Sequence, residues 1–268
     1  MKMSRCKKKL HYKKVDYVQI KQSGFTLVEL IAVIVILSIL ASIGTGFVVK
    51  TTESYQRTQT RALLVNTARQ ALERMTRQLR IALPYSVRVT NGGACLEFMP
   101  IAAGGNYFDP VPDMENLASA SATIATSPVN IDFGTPVHVT IGAMAASEIY
   151  GATAASRAGY ASGSIVLTSA KRWQRNSINK RYYLLNNPQA FCVVGSELRF
   201  YADVPVANND VNLTAPFSIL ARNVTGINPF SLQNGAENRN IVVNVALAFS
   251  SSGESINYTQ GVFIRNVP

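Results

Sequence analysis

The chain is poor in the residues that most enzymes gather at an active centre. It has two histidines, His11 and His138, three cysteines, Cys6, Cys95 and Cys192, and one tryptophan, Trp173. No Cys or His stands at a metal-ligand spacing, so a zinc or iron–sulfur framework finds no support. His138 lies in Val137-His-Val-Thr-Ile141, most simply a strand residue, and no Ser/His/Asp set follows from the spacing. No enzyme activity, no cofactor and no metal is expected. Acids are the scarcer charge, 15 Asp and Glu against 26 Lys and Arg. That surplus would suggest a polyanionic partner only if it were spread over the chain, and it is not.

Residues 1–24 hold eight of the basic residues (Lys2, Arg5, Lys7, Lys8, Lys9, Lys13, Lys14 and Lys21) and one acid, Asp16, a net +7 of the chain's +11. The remaining residues carry only +4. Such a basic leader marks the cytoplasmic side of a membrane span, and no nucleic-acid partner is expected. The leader ends in Gly24-Phe25-Thr26-Leu27-Val28-Glu29, followed at once by an apolar run from Leu30 to Ile43. Phe25 opens a stretch of membrane-spanning length with one carboxylate, Glu29, inside it. Burying a carboxylate in hydrocarbon costs several kcal/mol unless it is paired, so Glu29 is a functional clue. An ordinary secretory signal is cut after its apolar core, which is lost. Here the small residue stands before the core.

Basic leader, Gly24, Phe25, Glu29 and apolar run together resemble the N-terminus of a type IV prepilin, from Lys21 to about Val49. The resemblance implies cleavage between Gly24 and Phe25 by a prepilin peptidase and methylation of the new amine of Phe25. The retained run would anchor the subunit in the inner membrane of a Gram-negative bacterium and later pack in a filament core. Glu29 would pair with the N-terminal amine of a neighbouring subunit, which neutralises its charge and fixes register. The plain alternative is an uncleaved anchor that tolerates one acid. Implied partners are the peptidase, other major and minor pilins, the inner-membrane assembly platform and the inner membrane itself. The implied location is single-pass with a periplasmic head, then a pilus on the cell surface.

Three further stretches narrow the resemblance. Residues 68–80 are similar to the amphipathic helix of J-type minor pseudopilins, and residues 217–227 with Phe230 to their strand-and-turn. The ending Gly261-Val-Phe-Ile-Arg-Asn-Val-Pro268 resembles that of MshO-type minor pilins of the mannose-sensitive haemagglutinin (MSHA) pilus. These imply a minor pilin acting in priming or at the tip of an MSHA-like pilus. A J-type subunit of a type II secretion system and a pilus-tip adhesin of unknown ligand are the alternatives. Glu29 argues against the K-type tip subunit, which usually lacks that acid.

The expected fold is α+β: a long N-terminal helix packed on an antiparallel sheet. Leader 1–24 is followed by a transmembrane half-helix, 25–49, an amphipathic half, 50–83, and a β-rich head, 84–268. Leu64, Ala68, Leu72, Met75, Leu79 and Leu83 recur at helical spacing, and Pro84 ends the helix. Gly44 and Gly46 interrupt the apolar half, and the major pilins it resembles often carry a proline at the place of Gly46. Strands are expected at 85–90, 94–99, 137–141, 164–168, 181–185, 190–194, 197–202, 217–221, 241–249 and 255–265. Turns are expected at Asn91-Gly92-Gly93 and Gly195-Ser196. Residues 100–162, rich in Ala, Gly, Ser and Thr, read as a long, partly irregular surface insertion with a short helix near 143–150. Cys6 leaves with the leader. Cys95 and Cys192, in an oxidising compartment, invite one disulfide, with two buried thiols as the alternative. Asp203, Asn208, Asn209 and Asp210, and likewise Asp109, Asp113 and Glu115, are oxygen-rich but read as plain turns without an EF-hand spacing. Trp173, flanked by Lys171, Arg172 and Arg175, reads as a half-buried surface tryptophan. The sharper reading is a basic-aromatic contact patch.

Overall fold

The computed structural model describes residues 24–132, 134–234 and 240–265. The leader before Gly24, with Cys6 and His11, and the final residues 266–268 lie outside that range. The fold is α+β, as expected. One helix, α1 (Leu27–Arg80, 54 residues), is followed by strands throughout. The chain divides into two compact units, Met1–Ser54 and Tyr55–Pro268. In the first, the described residues are almost entirely α1. The second carries the rest of α1 and all the strands.

From Tyr55 onward α1 is amphipathic. Leu64, Ala68, Ala71, Leu72, Met75 and Leu79 are buried, three or four residues apart along one stripe. They pack on Leu96, Phe98, Phe191 and Phe200 of one sheet and on Val243, Val245, Leu247 and Phe249 of another. Arg57, Arg61, Arg69, Arg74, Arg77 and Arg80 stay exposed. Arg61 Nε nevertheless reaches Glu254 at 3.1 Å, and the Arg74 guanidinium lies 5.4 Å from the Phe200 ring centroid. The helix stops at Arg80, short of the expected Leu83. Leu83 is extended at φ −66°, ψ 122° because the ring of Pro84 disfavours a helical conformation in the residue before it. Its N–H turns to the Met99 carbonyl at 2.9 Å, while Ile101 N–H bonds Ile81 O at 2.8 Å.

The strands are β1 (Arg88–Thr90), β2 (Cys95–Phe98), β3 (Ile101–Asn106), β4 (Ser121–Thr123), β5 (His138–Ile141), β6 (Arg157–Ser162), β7 (Val166–Lys171) and β8 (Arg181–Leu185). Then come β9 (Gln189–Val194), β10 (Glu197–Tyr201), β11 (Ser218–Arg222), β12 (Val224–Thr225), β13 (Phe230–Asn234), β14 (Asn240–Ser251) and β15 (Glu254–Arg265). They form three antiparallel sheets. The first has the order β1-β2-β9-β10-β11. The second joins β12 and β13 to β14, with β15 on β14. The third has the order β3-β8-β5-β6-β7-β4. The β14–β15 hairpin pairs Ser251 with Glu254 around Ser252 at φ 50° and Gly253 at φ 80°. Two successive positive φ values are what a tight hairpin turn requires and what a glycine tolerates.

The segment expected to be partly irregular, with one strand at 137–141, is the main correction. Residues 101–185 leave the first sheet after β2, build the whole third sheet, and return at β9. They have their own core, in which Tyr107, Ile124, Val139, Ile141, Leu167, Trp173, Tyr182 and Leu184 are buried. The expected helix near 143–150 is a single 3-10 turn, Ala146–Glu148. Cys95 and Cys192 face each other in the β2–β9 register and are joined in a disulfide, so the bridge staples the two strands between which the insertion leaves and returns. It closes a separation of 97 residues, worth up to about 4–5 kcal/mol in the chain-entropy view. Replacing both cysteines by alanine is expected to lower unfolding stability by about 2–4 kcal/mol, read as an earlier urea midpoint. A midpoint equal to wild type would show that the bridge adds nothing to stability.

Candidate functional site

The N-terminal segment is built as a capped helix start. Thr26 precedes α1, and its Oγ1 accepts the Glu29 N–H at 3.3 Å, while its carbonyl accepts the Leu30 N–H at 3.1 Å. Thr-x-x-Glu is the sequence of a capping box, and an acid in the first turn opposes the helix dipole favourably. Glu29 thus has a local reason to sit at this turn as well as any intermolecular one. Phe25 is 79% exposed. Among the described residues a Cβ built on Gly24 would meet nothing within 4 Å, so their packing does not demand glycine there.

Beyond Glu29 the helix carries no charged residue until Lys50. It is long and apolar enough to cross a membrane, and its apolar stretch is exposed. Four hydroxyls in and just beyond this stretch bond back to the helix itself: Ser38 donates to Ile34 O, Thr45 to Ala41 O, Thr51 to Phe47 O and Thr52 to Val48 O, at 2.7–2.9 Å. A helix whose polar groups bond internally is what hydrocarbon accepts. Gly44 and Gly46 leave α1 unbroken.

Residues 20–45 match the prokaryotic N-terminal methylation motif. With the exposed apolar helix, this match supports a type IV pilin-like, membrane-anchored protein that is processed by a prepilin peptidase and assembles with other pilins. The curated proteins and the solved structures give no match to the chain.

The other candidates are absorbed into the fold. Trp173 is buried, 1% exposed, and the expectation of a half-buried surface residue is corrected. Its backbone N–H bonds Pro112 O, and its ring lies in the core of the insertion. The neighbouring cations are occupied: Lys171 donates to Ala154 O, Arg172 to Ala118 O, and Arg175 grips both oxygens of Glu148 at 2.7 and 2.8 Å. The Asp113 carboxylate accepts the N–H groups of Glu115, Asn116 and Asn176, which makes a turn and holds the carboxyl below its usual range. Asp203 accepts from Asn187 and Asp210 from Asn91 N–H. Among the described residues no group of three His, Cys, Asp or Glu is placed to hold a metal ion.

Sequence reasoning passed over Glu97, whose place in an apolar strand marks it in hindsight. It is fully buried, and its Oε2 accepts Arg88 Nε and Nη2 at 2.9 and 2.8 Å. Burial outweighs the pairing with Arg88 and lifts the carboxyl from 4.5 to about 7. His138 shifts the other way, from 6.5 to about 4, through burial and the adjacent Arg157. Glu97 therefore adds stability that is complete below pH 4.5 and is lost as pH rises to about 7. His138 adds stability that is complete above pH 6.5 and is lost as pH falls toward 4. Between these limits they oppose each other, and a nearly flat stability profile from pH 5 to 6.5 is expected. Glu97→Gln should unmask a profile rising with pH, and His138→Asn one falling by roughly 2–3 kcal/mol up to pH 8. Urea unfolding across the range tests this. A Glu97→Gln profile that runs parallel to wild type would contradict the assignment.

Proposed function

We propose that this chain is a minor pilin, cleaved between Gly24 and Phe25, that acts in priming or at the tip of an MSHA-like type IV pilus. The observation that carries the reading is the exposed apolar half of α1, with one carboxylate in its first turn, just after a glycine that the packing of the described residues does not require. After cleavage the Phe25 amine would stand four residues from Glu29. A neighbouring subunit's amine would then find in Glu29 the only charge between it and Lys50. The inserted third sheet, a large elaboration on a helix-on-sheet frame, suits a subunit of low copy with particular neighbours. The ending at Gly261–Pro268 favours the MSHA pilus, whereas the amphipathic helix at 68–80 keeps a J-type secretion pseudopilin as the second reading. The role is structural.

Deletion of the gene separates the two. Loss of surface pili with normal export of type II secretion substrates is the expected result. Normal piliation with failed secretion would overturn the pilus reading in favour of the pseudopilin. A binding screen of residues 51–268 against surface glycans tests the adhesin role.

A further inference from the structure

The first sheet has one face on α1 and the other under a strap. Residues 202–217, between β10 and β11, cross the outer face, where Val204 and Val211 pack with Tyr201 and the cysteines of the disulfide. Glu97 points to this outer face, since its neighbours Leu96 and Phe98 belong to the α1 side. Three segments converge on it. β1 supplies Arg88. The insertion supplies Tyr150, whose ring lies 3.7 Å under the Arg88 guanidinium and whose hydroxyl donates to Ser86 O at 2.8 Å. The strap supplies Asn208, whose carbonyl accepts Arg88 Nη2 at 2.6 Å, and Asp210, held by Asn91 N–H at 2.7 Å. From β9 the facing residue is the uncharged Ala190.

The carboxylate is only half served. Oε2 has both Arg88 contacts, while Oε1 is buried with no hydrogen-bond partner. A buried ionised oxygen without a donor is costly, and only water could supply one. The strap also places a second carboxylate, Asp210, close enough for like charge to act on Glu97.

We propose that Glu97 and the 202–217 strap form a proton-operated seal: protonated Glu97 holds the strap closed over β1–β2, and ionised Glu97 opens it. Opening brings water to Oε1 and moves Asp210 away from a like charge. The direction follows from linkage. A closed state that raises the proton affinity of a carboxyl is itself favoured by protons. Because ordinary proton affinity is restored when the strap opens, the seal responds across neutral pH. Arg157 and His138 flank the same turn of the insertion, Arg157 donating to Ile149 O and Gly151 O. His138 stays neutral there until about pH 4, so it takes no part in a response between pH 5.5 and 8. The seal does not depend on the reading of the N-terminus.

Hydrogen exchange of the detergent-solubilised full chain tests it. Corrected for intrinsic rates, amides of 202–217 are expected to exchange at least about tenfold faster at pH 8 than at pH 5.5, with amides of β14 and β15 unchanged. Glu97→Gln should hold the strap protected at both pH values. Asp210→Asn, which keeps an acceptor for Asn91, should shrink the pH response. Equal corrected exchange at the two pH values would overturn the seal, as would a Glu97→Gln variant with the wild-type response. Should Glu97→Gln fail to fold, an undiminished response in Asp210→Asn would overturn the part assigned to Asp210, and the wild-type comparison still decides the rest.

Discussion

Gly24→Val is expected to leave the leader of 24 residues attached and to abolish entry into filaments. The change is sharp because the fold gives it nothing to disturb. Among the described residues a Cβ at Gly24 meets nothing within 4 Å, and the helix start is secured further on, by Thr26 Oγ1 and the Glu29 N–H. A valine there should be invisible to the folded head and visible only to the protease that must fit the chain around the scissile bond. Intact-mass measurement of membrane-extracted protein reads the result directly: wild type beginning at Phe25, the variant beginning at Met1. The head of the variant should unfold at the wild-type urea concentration, which separates failed processing from failed folding. A wild-type chain that still begins at Met1 in a host with an active prepilin peptidase would defeat the prepilin reading and leave an uncleaved anchor in its place.

The parts of the molecule that sequence made legible are those whose neighbours are close in the chain. The buried stripe of α1 could be read because Leu64, Ala68, Leu72, Met75 and Leu79 repeat at the helical period. The hairpin at Gly195-Ser196 could be read because turn chemistry is local. The helix end was misplaced by three residues because the rule applied was that proline breaks a helix, whereas Leu83, the residue before it, is already driven out of the helical region. The third sheet was missed for a different reason. β3 contains Ala102, Ala103, Gly104 and Gly105, and β6 contains Ala158, Gly159 and Ala161. Small side chains give no alternation of large apolar and polar residues, so the period-two signal of a strand is absent. Here the bulk is supplied from afar. Tyr182 of β8 lies against Gly105, where a Cβ would meet its hydroxyl at 2.6 Å. Trp173 was misplaced by the same mechanism. Its sequence neighbours are cations, but its backbone partner is Pro112, some sixty residues earlier, and the cations are spent on backbone carbonyls and on Glu148. The N-terminal site was legible because it is linear: glycine, phenylalanine, cap, acid and apolar run follow one another without a fold to assemble them. Glu97 is its opposite, a carboxylate whose meaning comes only from Arg88, Tyr150 and Asp210 arriving from three separate segments.

Glu29→Ala is expected to separate membrane insertion from assembly. Removing the carboxylate removes the one charge in the first part of the span, so insertion should persist or improve. The helix start should survive. Its cap uses the Glu29 backbone N–H and not the side chain, and loss of an acid from the first turn costs an exposed helix only about 0.3–1 kcal/mol. Cleavage should be little changed, since Gly24 and Phe25 keep their surroundings. A neighbouring subunit's amine, by contrast, would enter an apolar bundle with no partner, and breaking a buried pair on one side costs about 3–5 kcal/mol because the other charge stays behind. That is a loss of roughly a hundredfold to a few thousandfold in the assembly equilibrium. Mature-form abundance in the inner membrane should therefore match wild type, while cross-links to other pilins and pilus number per cell fall sharply. Glu29→Gln sharpens the reading. It keeps size and hydrogen-bonding capacity while removing charge, so it should fail in assembly nearly as badly as alanine if pairing is electrostatic. A Gln variant that assembles normally beside an Ala variant that does not would mean a hydrogen bond rather than an ion pair. Normal assembly of both would make Glu29 only an acid of the first helix turn, and this subunit would then join its filament through contacts of the head, or at a tip with no subunit ahead of it.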